Sequence, residues 1–129
     1  MKRLGDAELE IMETIWAEKE PVTAACILKK LKTRNTWALS SLMTALARLT
    51  EKGFVCCDRK YRHNLYTALI GEEDYKAYQG RTLLDRLYGS SVTKMVANLV
   101  QQEKLSREDV ETLREYLDQL KTKENEKHS

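Results

Sequence analysis

The sequence predicts a mainly α-helical chain with one small β-hairpin: three helices, the hairpin, and a further helical region. Three observations carry that expectation. Apolar residues recur at helical spacing over most of the chain. Two short runs rich in β-branched and aromatic residues, 54–59 and 65–70, interrupt that pattern once. A single proline and five glycines among 129 residues leave little for long irregular segments.

The first helix is expected from Asp6 to Glu18, with Asp6 as N-cap and Leu9, Met12, Ile15 and Trp16 on one stripe. Pro21 breaks the chain, Val22 and Thr23 can form a very short strand, and Thr23 can cap a second helix, Ala24–Leu31. That helix buries Ile27, Leu28 and Leu31, with Cys26 packed nearby. Lys32–Thr36 reads as a polar turn. The third helix runs from Ala38 to Lys52 and stops at Gly53, a residue suited to the left-handed position after a helix. Leu42, Ala45, Leu46 and Leu49 form its inner stripe. Its other face carries Ser40, Met43, Thr44, Ala47 and Glu51, flanked by Arg48, so it is small and hydrogen-bonding where a solvated helix would carry Lys and Glu. Phe54–Arg59 and Leu65–Ile70 are the hairpin strands, joined by a cationic tip in which Asn64 can take a positive φ.

The second half begins at Gly71. A helix over 72–88 presents Tyr75, Tyr78, Leu83, Leu84 and Leu87, and Gly89-Ser90-Ser91 breaks it. Val92–Gln102 carries Val92, Met95, Val96, Leu99 and Val100. Ser106 caps the last helix with Asp109 three residues on, and Val110, Leu113, Leu117 and Leu120 follow a spacing of three and four. The polar tail, 123–129, is expected to fray. The division is therefore 1–71, 72–122 and a tail. Broad apolar faces with little sequence to cover them fit a homodimer, Tyr75 and Tyr78 included; an intramolecular three-helix bundle fits the same pattern.

Net charge is +2, unevenly spread. Residues 1–71 carry +4 and residues 72–129 carry −2, while Leu28–Arg62 alone holds 9 basic against 2 acidic residues. A basic stretch of that kind suits phosphates, and equally an ordinary solvated face. No apolar run is long enough to cross a bilayer and no secretory leader is visible at the start, so no membrane role and a cytoplasmic location are expected. Cys26, Cys56 and Cys57 lack disulfide or zinc spacing, and the adjacent pair on a strand points to opposite faces. No metal or other cofactor is expected. No nucleophile–base set or glycine-rich phosphate loop appears, and His63 and His128 are badly placed for acid–base work, so an enzyme is not expected.

The order helix, helix, helix, hairpin is the winged helix-turn-helix plan, in which the third helix enters a DNA groove and the hairpin touches flanking backbone. On that plan Ser40, Ser41, Met43, Thr44 and Arg48 are candidate DNA contacts. Ser41 and Arg48 would hold phosphates, while Thr44 and Met43 would meet base edges or a thymine methyl. Lys60 and Arg62, with Arg59 and His63 nearby, would add backbone contacts. Trp16 belongs to the core; Trp37 packs on the domain or offers its N–H to a phosphate. A winged-helix module that holds another protein is the competing class.

The segments Leu4–Met12, Ile15-Trp16, Trp37, Thr44, Arg48-Leu49, Lys52-Gly53-Phe54 and Tyr66, with Tyr75, Leu83-Leu84, Leu105-Ser106 and Leu113, resemble the penicillinase-repressor family, the repressors of β-lactamase and methicillin-resistance genes. The resemblance implies a winged-helix domain, a helical dimerisation region, a dyad operator and repression of transcription. In antibiotic-responsive members it also implies release by proteolysis within the dimerisation region. The matching bond here is Asn98–Leu99, with Leu where those members have Phe. Copper-responsive members carry cysteine pairs near the C-terminus, and this chain has no cysteine after Cys57. Ala38-Leu39 replaces the Ser or Thr and Pro with which relatives often open helix three, at a local cost of about 1 kcal/mol unless Thr36 caps instead.

Overall fold

A computed structural model of the chain describes residues 1–31 and 37–128. It forms two compact units, Met1–Gly80 and a second starting at Arg81. The elements run α1 (Asp6–Ala17), α2 (Ala24–Leu31), α3 (Leu39–Glu51), β1 (Val55–Asp58), β2 (Leu65–Ala68), α4 (Glu72–Tyr88), α5 (Val92–Gln101) and α6 (Arg107–His128). The first five make a winged helix-turn-helix and the last three a helical C-terminal region. The turn expected at Lys32–Thr36, and any cap from Thr36, lie outside the described residues.

The first unit closes around one core. Ile11, Met12 and Ile15 of α1 meet Ile27 and Leu31 of α2, and Leu42, Leu46 and Leu49 of α3 fill the centre. Phe54, Val55 and Tyr66 seal it from the hairpin side. The three leucines of α3 are 0 % exposed, and truncating any of them to alanine costs roughly 2–5 kcal/mol. Their burial pins the inner face of α3 and so presents its outer face in a fixed orientation. Trp16 sits at the core margin, half-buried, with its indole Nε1 donating to the Ile70 carbonyl at 2.9 Å.

The helix ends follow local chemistry. Gly5, not Asp6, is the N-cap of α1, and Glu8 Oε1 accepts from the Gly5 N–H at 3.1 Å. Asp6 falls one residue inside the helix, where its charge still suits the dipole. Thr23 Oγ1 accepts from Cys26 N, as its position before α2 implied. The third helix ends with Gly53 at φ +84°, Gly53 N bonded to Thr50 O and Phe54 N to Leu49 O. This paired closure turns the chain sharply into β1.

The hairpin pairs Val55 with Ala68 and Asp58 with Leu65, antiparallel. Val22 adds an isolated bridge to Tyr66, with hydrogen bonds of 3.1 and 2.7 Å, which ties the hairpin to the start of α2. Asn64 does not take a positive φ, because the connection from Arg59 to Asn64 is long enough to reverse without one. Its turn is held instead by Asp58 Oδ1, which accepts from Lys60 N.

One expectation is corrected beyond the hairpin. Tyr75 belongs to the first core rather than to a dimer surface: it is only 6 % exposed, accepts a hydrogen bond from Leu4 N at 2.9 Å on its hydroxyl, and its ring meets Trp16 and Phe54. The compact unit around this core spans Met1–Gly80. Helix α6 runs on past Thr122 to His128, through Lys- and Glu-rich sequence with good helix propensity.

Within the second unit α5 and α6 start on side-chain caps. Ser91 accepts from Lys94 N, and Ser106 and Asp109 cap each other's amides at 3.0 and 3.1 Å. No residue from Arg81 to Glu126 is buried.

Candidate nucleic-acid interface

The outer face of α3 is exposed at Leu39, Ser40, Ser41, Met43, Thr44, Ala47 and Arg48. Ala38 caps α3 with no side-chain bond, so the amides of its first turn, beside Ser40 and Ser41, remain available to an anion. Thr44 Oγ1 donates back to Ser40 O at 3.0 Å. Its hydroxyl proton is thereby committed to the helix, which leaves the oxygen as an acceptor and the methyl as an apolar contact.

Two shallow clefts flank this face. Trp37, Ser40, Ser41, Thr44 and Arg48 line one, closed on its far side by Ala7 and Glu8 of α1. Leu39, Met43 and Arg62 line the other, together with the small residues Ala24 and Ala25 at the start of α2. The structure thus gathers the sequence-predicted residues into two groups, with Arg62 of the hairpin lining the second cleft together with Met43. Lys60 lies on the exposed hairpin tip, outside both clefts.

Glu8 puts a carboxylate at the edge of the first cleft, beside Arg48. Burial acts to raise its pKa, but the hydrogen bonds from Lys52 and the Gly5 amide, with the charges of Lys52 and Arg48, outweigh it and hold the group below its ordinary value. Lys52 Nζ reaches both Glu8 oxygens at 2.8 Å. The pair neutralises the acid locally and fastens the start of α1 to the end of α3. On the hairpin, burial and then the neighbouring Cys57 thiol push the Tyr66 phenol up, so it stays neutral at physiological pH.

The sequence matches the penicillinase repressor family model over residues 4–119. The chain belongs to this family. The penicillinase repressor of Bacillus licheniformis is 31% identical over 124 residues, covering 96% of each chain. The methicillin resistance regulatory protein MecI of Staphylococcus aureus is 30% identical over 116 residues, 88% of this chain and 92% of that one. Two solution structures are similar to the N-terminal part. The DNA binding domain of the repressor BlaI superimposes with a TM-score of 0.51 and 35% identity, over 58% of this chain and 94% of that one. The Bacillus licheniformis BlaI monomeric form in complex with the blaP half-operator gives 0.50 and 34% over 57% and 89%.

Within this penicillinase repressor fold, the sequence did not single out Leu39, which is 54 % exposed at the first position of α3. Helical periodicity placed it on neither stripe, but an apolar residue one turn before Met43 on the polar face was a usable signal. Glu8 gives no such signal, because no local pattern reveals a partner 44 residues away.

Proposed function

We propose that this chain is a transcriptional repressor that binds operator DNA, with α3 in the major groove and the hairpin against the flanking backbone. The observation that carries this reading is that Arg62 lines one cleft with Leu39 and Met43 of the exposed face of α3, on a fold similar to the BlaI domain solved with a half-operator. Ser41, Arg48 and the first-turn amides of α3 hold phosphates, with Trp37 packing beside them. Ser40, Met43 and Thr44 face the bases. Lys60 and Arg62 add affinity from the hairpin without sequence information.

A second copy of the chain completes the repressor, giving a homodimer on a dyad operator. Supporting this are the apolar positions left exposed in α5 and α6, among them Val92, Val100, Val110, Leu117 and Leu120. A short amphipathic helix with no buried side chain gains little from folding alone. Release follows cleavage of Asn98–Leu99 by a regulatory protease. Asn98 is exposed, but the bond lies inside α5, so that helix must open locally before it is cut.

The test is a salt titration of the full chain on duplexes recovered by selection from random DNA. Affinity is expected to fall steeply and linearly on logarithmic axes as counterions compete. A flat dependence favours the protein-holding alternative and rejects operator binding. Cleavage is tested by following Asn98→Ala in cells exposed to a β-lactam: persistent repression supports it, and unchanged release rejects it.

A further inference from the structure

We propose that Leu39 and Met43 read the C5-methyl groups of thymines, so that T·A pairs, rather than guanines, define the half-site beneath the first turns of α3. The inference rests on the operator-binding reading above and names which bases that surface takes.

Leu39 and Met43 are 54 % and 39 % exposed, one helical turn apart, and line the same cleft as Arg62. Apolar side chains held in water beside a cation, with no core to join, suit a partner that is negatively charged and carries apolar spots. A duplex major groove has that character, and its apolar feature is the thymine methyl. The rest of α3 points the same way. Its sequence, Leu39–Glu51, contains no Lys, Asn or Gln. The side chains that pair bidentately with guanine or adenine are therefore missing from it, except for Arg48. Arg48 stands nine residues beyond Leu39, about 13 Å along the axis, in the other cleft. Thr44 has committed its hydroxyl proton to Ser40 O, which removes one more donor from the base-facing surface. Across the first two turns, discrimination is left to the Ser40 hydroxyl, which accepts several partners, and to the apolar pair, which distinguishes a methyl from its absence.

The test removes the methyl and nothing else. Duplexes recovered with the full chain from random DNA are remade with deoxyuridine in place of each half-site thymine in turn. Burying one methyl is worth about a fourfold change in affinity, so one or two positions per half-site should each lose about that much. Leu39→Ala or Met43→Ala in the full chain should erase the loss at the matching position and leave the salt slope unchanged. If uracil substitutes for thymine at every position without loss while binding stays salt-sensitive, thymine reading is overturned and operator binding stands. If no duplex is bound in a salt-sensitive way, both fall. The decisive comparison uses the unaltered protein, so it holds even if an alanine variant folds poorly.

Discussion

The two compact units solve the same problem in opposite ways. Up to Gly80, five elements and the first half of α4 enclose a core in which Ile11, Met12, Ile27, Leu42 and Leu46 are wholly shielded. From Arg81 to Glu126 no residue is buried, although Val, Leu, Met and Tyr recur at helical spacing. The helices of the second unit are more polar than those of the first, and their apolar positions find no core within the unit. One unit is finished by its own chain; the other has a surface that a second copy would complete. The proposed dimer would supply avidity, because the second half-site contact becomes intramolecular.

The largest expected effect follows from cutting between the two. A chain ending at Gly80 should still unfold cooperatively and lose one to several orders of magnitude in affinity for a dyad duplex. Equal affinity of the short and full chains would remove the need for a second copy. Ending the chain at residue 71 instead, or making Tyr75→Ala, should destabilise the first unit by about 3 kcal/mol in denaturant unfolding, since a buried ring is lost from between Leu4, Trp16 and Phe54. Tyr75→Phe should cost only about 1 kcal/mol, the hydrogen bond to Leu4 N alone.

The Glu8–Lys52 pair sharpens the comparison through pH. Because the Glu8 pKa is lowered in the fold, its stabilisation is present above the ordinary carboxylate pKa and is lost as pH falls through the lowered folded value. Glu8→Gln should cost about 1 kcal/mol at neutral pH and flatten the acid side of the stability profile. An acid limb identical to that of the parent would show the pair to be ornamental. A smaller effect is expected in the second unit, where Glu103 closes α5 at φ +56° with Lys104 N bonded to Leu99 O. Glycine takes that conformation without strain, so Glu103→Gly should raise stability by about 0.5–1 kcal/mol in thermal unfolding.

Legibility in the sequence followed the same divide between local and long-range effects. The stripe Leu42, Leu46, Leu49, the left-handed Gly53 and the caps Thr23 and Ser106 depend on neighbours within a few residues, and each stands where the pattern put it. Tyr75 was assigned to a dimer surface because periodicity shows that a helix has an apolar face, not which core the face joins. Gly5 displaced Asp6 as N-cap because Glu8 reaches back to its amide, a choice that composition alone leaves open. The division of α3's outer face into two clefts depended on where the hairpin and α1 come to rest, which no local spacing encodes.

The most direct test titrates the full chain onto two duplexes that differ only in carrying one selected half-site or two in dyad arrangement. Two chains should load together on the dyad, at least tenfold more tightly than one chain binds the single site. Independent binding of single chains with equal affinity on both duplexes would contradict the account.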